Sequence, residues 1–291
     1  MKNKPVKISY EFFPPKNPDM VRRLWRTVGQ LERYNPSFFS VTYGALGSAK
    51  QISIDTAVEL HNESSVPVAA HLTCGEASVE EVDQVARQFH QKGLRRIVAL
   101  RGDSTIGAQN DRHQKSYQSV AELIRGLKDI ADFDISVAAY PEVHPLATSA
   151  KQDLEILKQK MDAGANRAIT QYFFDTDCYL RFRDQASQIG IDKPIVPGIL
   201  PIHNIQKVRQ FSQRCGAKFP KNIEILFEKC KNDPDAQYAL SVELVVQQCE
   251  RLREAGVSEF HLYTLNQTDM CLDISLALGV KVSSLSVEKA A

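Results

Sequence analysis

The chain lacks the local signatures that mark many enzyme classes. Its six cysteines, at positions 74, 178, 215, 230, 249 and 271, contain no Cys-x-x-Cys. That argues against a disulfide framework or a zinc site and fits reduced thiols. The seven histidines are dispersed with no His-x-x-x-His pair, so no metal site is read. Among the 14 glycines there is no G-x-G-x-x-G and no phosphate-binding P-loop, and G-x-S-x-G is also missing. No apolar run reaches the length of a membrane span, and Met1 to Lys7 is too polar for a signal peptide. A cytoplasmic protein is expected. Net charge is +1, from 36 Lys and Arg against 35 Asp and Glu. Neither nucleic acid nor a membrane surface is therefore expected as a partner, and any anionic ligand must be held by a local cluster.

What is present is a recurrent order of strands and helices. The 291 residues, 43% hydrophobic, suffice for a large core. Strand-like apolar runs occur at Lys7–Phe13, Ser37–Tyr43, Val66–Thr73, Arg96–Leu100, Ile135–Tyr140, Arg167–Phe174, Ile195–Leu200 and Glu259–Leu265. Most are continuous rather than alternating, as parallel strands covered on both faces require. Between them lie helical patterns. Ser78-x-x-Glu81, Ser119-x-x-Glu122 and Ser149-x-x-Gln152 read as capping boxes, and Gly93, Gly164, Gly190, Gly216 and Gly256 as helix stops. Eight such units predict an α/β fold, a single (β/α)8 TIM barrel over residues 1–291 with a small polar tail after about 280. Residues 216–235 read as an insertion with a short helix. A doubly wound sheet is the competing architecture, but its first turn is usually glycine-rich, and here it is Pro14-Pro15.

In such a barrel the active site lies at the carboxyl ends of the strands. Glu11 falls there among apolar neighbours in Ser9-Tyr10-Glu11-Phe12-Phe13. Burial disfavours a carboxylate, so its pKa is expected to be raised, suiting it to donate a proton near neutral pH. A register-setting ion pair is the plainer alternative. The other strands bring Thr42, Tyr43, His71, Thr73, Arg101-Gly102-Asp103, Tyr140, Glu142, His144, Gln171, Tyr172, Asp175, Tyr263, Thr264 and Asn266 to the same end. Each has a structural reading by itself. Together they are more than a core needs, because unpaired polar groups are costly. Arg101, His144 and Lys160 would form a patch for a pyrophosphate, although Lys160 alone reads as a solvated helix face.

These segments resemble methylenetetrahydrofolate reductases. The likeness rests on Tyr10–Pro15, Ser40–Ala45, His71–Cys74, Ala99–Asp103, Ser136–Pro145, Asp162–Ala165, Thr170–Asp175, Pro197–Pro201 and Tyr263–Asn266, and extends from about Lys7 to Val280. The resemblance implies a (β/α)8 barrel carrying FAD. It implies reduction of 5,10-methylenetetrahydrofolate to 5-methyltetrahydrofolate by NADH or NADPH in ping-pong turnover, feeding methionine synthesis. It places FAD against Tyr43, Ala45, His71, Arg101, Gly102, Asp103, Tyr140, His144, Asp153 and Lys160, and the nicotinamide near Thr42 and Gln171. Folate falls near Asp103, Gln171 and Phe211, with Glu11 as the general acid. Chemistry agrees with these roles: opening the substrate's five-membered ring expels an amine that needs a proton, and Asp103 would stabilise the resulting iminium cation. A homo-oligomer is expected. Gln267 stands where the family often has Arg, and a carboxy-terminal regulatory domain is not expected. Two rival readings are a flavin-free pterin-binding methyltransferase barrel and a non-catalytic folate- or flavin-binding barrel.

Overall fold

The prolines and apolar runs of the sequence set the strand ends. The computed structural model describes residues 4–44, 48–75, 77–102 and 116–283. Its strands are β1 (Lys7–Phe12), β2 (Phe39–Val41), β3 (Val68–Thr73), β4 (Arg96–Leu100), β5 (Asp134–Ala139), β6 (Arg167–Thr170), β7 (Ile195–Val196), β8 (Gly198–Ile199) and β9 (Glu259–Tyr263). Around them run α1 (Pro18–Leu31), α2 (Ser48–Glu63), α3 (Val79–Gln91), α4 (Val120–Ile130), α5 (Ala150–Asp162), α6 (Thr176–Gln188), α7 (Ile205–Cys215), α8 (Lys221–Lys229), α9 (Pro234–Glu254) and α10 (Asp269–Ala277). The described sheet is parallel throughout, in the order β7-β6-β5-β4-β3-β2-β1-β9-β8.

This is the expected (β/α)8 barrel, with one correction. The seventh predicted strand is two strands, because Pro197 has no N–H and interrupts the ladder. Ile195–Val196 pairs with β6, whereas Gly198–Ile199 pairs with β9. One extended run thus joins both ends of the sheet order, and Pro197 O accepts the His261 N–H across the seam at 3.0 Å. A doubly wound sheet is excluded by this closure. The second and sixth strands are shorter than predicted. After Thr170 the chain leaves the ladder, and Asp175 caps α6 through the Asp177 N–H at 3.0 Å.

Helix punctuation matches the sequence reading with small differences. Ser78 and Glu81 form a reciprocal capping box on α3. Ser119 and Ser149 accept the Glu122 and Gln152 N–H groups, but Glu122 and Gln152 reach back one residue further, to Gln118 N and Thr148 N. All five predicted helix-ending glycines have φ between +78° and +119°. The insertion carries α8, capped by no side chain.

Two layers of side chains hold the barrel. The outer layer, between sheet and helices, includes Tyr10, Phe12, Phe39, Leu72, Ile97, Ile135 and Leu123, all essentially buried. Each such large residue contributes about 2 kcal/mol of apolar burial. The inner layer contains Phe38, Ala69, Val98 and Ile169. Below it, at the amino end, Arg167 grips Asp134 with two hydrogen bonds of 2.8 and 3.1 Å, and Arg96 approaches Asp134 at 3.4 Å. Both guanidinium groups lie over the Phe38 ring, at 5.5 and 5.9 Å from its centroid. This plug closes one end of the barrel and leaves the other as the mouth.

Candidate active site

Parallel register aligns the inward residues of neighbouring strands in tiers. Ser9 pairs with His261, and Glu11 pairs with Tyr263 on one side and Ser40 on the other. His71 comes from β3, two strands from β1 in the sheet order. Its Nε2 lies 3.3 Å from Glu11 Oε2, and His261 Nε2 lies 3.5 Å from the same oxygen. The other nitrogen of His261, Nδ1, is 2.7 Å from Ser9 Oγ, which keeps Nε2 turned to the carboxyl. The imidazole face stacks on Phe38, with centroids 5.7 Å apart.

This arrangement corrects one expectation. Burial does push the Glu11 carboxyl up, but the N–H groups and charge of His261 and His71 outweigh it and hold it at about 2. Glu11 is therefore ionised without ligand, not neutral. Both contacts are long, and neither buried Nε2 completes an aligned hydrogen bond. Both also converge on Oε2, so Oε1 is the oxygen they do not take up. His71 is therefore not a core histidine with its hydrogen bonds satisfied.

A second cluster occupies the β4–β5 side of the mouth. Arg101 and Gly102 directly follow β4, and Gly102 has φ +89° with Thr73 packed against it. Tyr140 follows β5, and its ring meets His144 edge-on at 4.4 Å. Asp153 accepts the His144 N–H at 2.9 Å and so ties the loop to α5. Lys160, about two helix turns further along, donates to Ala138 O at 3.0 Å. The solvated-face reading of Lys160 is overturned, since burial lowers its pKa while Asp153 opposes that. Burial likewise lowers the pKa of His144, with Asp153 opposing and Lys160 and Arg101 adding to the shift. Three basic groups near one another, beside a glycine with positive φ, form a donor set that fits a diphosphate.

The remaining candidates divide. Thr42 and Tyr43 follow β2 and are half-buried; burial raises the pKa of the Tyr43 phenol. Gln171 follows β6, with Oε1 folded onto the Tyr172 N–H at 3.0 Å. Phe211 sits on α7 and is 53% exposed, so its ring is available to a ligand. Its neighbour Ser212 is buried and bonded to Tyr172 OH at 3.0 Å. Thr264 and Asn266 prove to be braces: Thr264 Oγ1 donates to Glu11 O at 2.6 Å, and Asn266 clasps both backbone groups of Phe13 at 2.8 Å. Asp103 and Ala45 lie outside the described residues. Sequence reasoning missed His261 and Ser9. The available signal was the period of two along Glu259–Tyr263, which puts His261 on the same face as Tyr263.

Comparisons with known proteins show the family. The family profile for methylenetetrahydrofolate reductase matches residues 1–279. The 5,10-methylenetetrahydrofolate reductase of Salmonella typhimurium is 41% identical over 276 residues, covering 95% of this chain and 92% of the relative. That of Escherichia coli is 40% identical with the same coverage. An Arabidopsis thaliana methylenetetrahydrofolate reductase (NADH) is 34% identical, covering 94% of this chain and 48% of its own length. In fold, the chain is similar to a Clostridium thermocellum protein that binds two copies of 5-methyl-5,6,7,8-tetrahydrofolic acid, with TM-score 0.63 and 15% identity over 94% of this chain and 95% of that one. No described helix is long and apolar enough to cross a membrane. From its fold, the composition of its mouth and these matches along nearly all its length, the chain belongs to the methylenetetrahydrofolate reductase family.

Proposed function

We propose that the protein reduces 5,10-methylenetetrahydrofolate to 5-methyltetrahydrofolate with FAD as resident cofactor and NADH or NADPH as reductant, in the cytoplasm, and so supplies methyl groups for methionine synthesis. The observation that carries this is the pairing, at one rim, of a buried carboxyl under two imidazoles with a basic cluster suited to a diphosphate. FAD, when bound, supplies the acceptor and donor of hydride. Arg101, His144 and Lys160 would hold its diphosphate, with Asp153 orienting His144 and Lys160. Tyr43, His71, Gly102, Tyr140 and, from outside the described residues, Ala45 and Asp103 complete the contacts.

Glu11 handles the proton. In the ligand-free site the carboxyl is charged, with the two imidazole Nε2 atoms facing it. An uncharged ring system docked over the mouth displaces water from the cluster. Desolvation then favours the neutral carboxylic acid over the carboxylate. The carboxyl, once it has taken up a proton, passes it to the amine expelled when the substrate's five-membered ring opens. Asp103 would stabilise the cationic iminium left behind. Gln171 swings from the Tyr172 N–H to meet the pterin or the nicotinamide, and Phe211 covers the aromatic part of the folate. Because one mouth serves both co-substrates, they take turns, which gives ping-pong kinetics. The absence of a Rossmann glycine pattern fits a nicotinamide that only stacks and leaves. A homo-oligomer is part of this proposal.

The test is spectroscopic. Purified protein supplied with FAD is expected to be yellow, to bleach under NADH or NADPH without oxygen, and to regain colour with 5,10-methylenetetrahydrofolate. Colourless protein with no affinity for FAD would overturn the reading.

A further inference from the structure

The segment Pro197-Gly198-Ile199 has no part in the chemistry above, yet its geometry is tightly constrained. A Cβ on Gly198 would overlap Thr170 O and would lie 2.7 and 2.8 Å from Cε2 and the hydroxyl of Tyr263. Gly198 has no positive φ, so the glycine answers a close approach and not a backbone conformation. The side chain that fills the space is Tyr263. Its hydroxyl donates to Thr170 O at 2.7 Å, while Thr170 Oγ1 accepts the Gly198 N–H at 2.9 Å. The phenol thus reaches across the seam where β7 gives way to β8.

Tyr263 is also the β9 partner of Glu11 in the parallel register. Its ring meets His261 edge-on at 5.4 Å and Tyr172 edge-on at 6.4 Å. The phenol pKa is pushed well above its ordinary value, first by burial and then by the Glu11 charge, so the hydroxyl stays a neutral donor. The ring is therefore a wall between the Glu11–His261 pair and the seam.

We propose that Tyr263, seated by Gly198 and Thr170, is a positioning residue for Glu11: it seals the break in the barrel against water and fixes the His261 ring against the carboxyl. This rests on the acid role given to Glu11. The groups facing Glu11 are His71, His261 and Tyr263, with Ser9 behind His261 and the Arg96–Asp134–Arg167 plug beyond Phe38. Removing the phenol opens a space that water fills. Water favours the carboxylate, so less of the acid form exists at a given pH.

The experiment compares wild type with Tyr263→Leu, Tyr263→Phe, Gly198→Ala and Glu11→Gln by anaerobic stopped flow, following the flavin under NADH and then under 5,10-methylenetetrahydrofolate across pH. Tyr263→Leu and Gly198→Ala are expected to slow the folate half-reaction about tenfold, within the range general acids supply. The pH at which that rate falls moves down, because a hydrated acid deprotonates earlier. Tyr263→Phe, which keeps the ring, loses about threefold or less. Reduction by NADH stays within about twofold in all three. The imidazole NMR signals of His261 shift in Tyr263→Leu, a readout independent of turnover. If Tyr263→Leu does not fold, Gly198→Ala, which pushes on both the ring and the Thr170 carbonyl without deleting either, decides. An unchanged folate rate, pH profile and His261 spectrum, with Glu11→Gln inactive toward folate, overturns the inference alone. A Glu11→Gln enzyme that still reduces folate overturns the acid role and this inference with it.

Discussion

The two ends of the barrel interior both contain charged groups, and they treat them in opposite ways. At the amino end Asp134 is held by a two-point grip from Arg167 and a nearer-to-surface approach by Arg96, with Phe38 under both cations. The geometry there is satisfied and the groups are partly wet. At the carboxyl end Glu11 meets two imidazoles at 3.3 and 3.5 Å, neither well aligned, and both Nε2 atoms are buried without a completed hydrogen bond. A satisfied network contributes stability and specifies register. An incomplete one keeps a proton mobile and awaits a ligand. Substitutions at the two ends should therefore separate stability from activity.

The largest effect is expected at the mouth. Glu11→Gln should lower steady-state folate reduction by about a thousandfold, within the span of general-acid contributions, with the chain still folded but less stable at neutral pH, because the carboxylate held by two imidazoles is lost. Melting curves and turnover on the same preparation check this. At the other end the pattern should invert. Asp134→Ala takes the carboxylate away from two guanidinium groups and should cost about 2 kcal/mol after allowance for their partial exposure, with kcat nearly unchanged; denaturant unfolding and turnover measure both. Loss of activity out of proportion to stability there would erase the contrast.

Acid sharpens it further. Glu11 sits near 2 in the folded protein, below its ordinary 4.5. A lowered folded-state pKa means the stabilisation is present above about 4.5 and is lost as pH falls toward 2. The difference in unfolding free energy between wild type and Glu11→Gln should change by about 3 kcal/mol across that window, measured by urea unfolding at each pH. The smallest effect belongs to a site remote from both ends. Ser78→Ala breaks the α3 capping box and should cost about 1 kcal/mol with no change in kcat.

The contrast also explains what the sequence disclosed. Strand order and helix ends were legible because they depend on neighbours in the chain: apolar runs, Ser-x-x-Glu pairs and glycines past helix ends. The break at Pro197 was visible as a proline, but not its consequence, because closing the barrel joins residues more than 60 apart in the sequence, such as Pro197 and His261. Glu11 was legible as a buried acid at a strand end. Its ionised state was not, since that depends on His71 and His261, which arrive from other strands. Lys160 was misread as solvated for the same reason: its acceptor, Ala138 O, lies on β5, beneath the helix. Asp103 and Ala45, named from the family resemblance, fall outside the described residues.

The most direct measurement is a resolved half-reaction experiment on Glu11→Gln under anaerobic conditions. The account predicts that NADH still bleaches the bound flavin at close to the wild-type rate, and that 5,10-methylenetetrahydrofolate then fails to restore the colour. Restoration at the wild-type rate would contradict it.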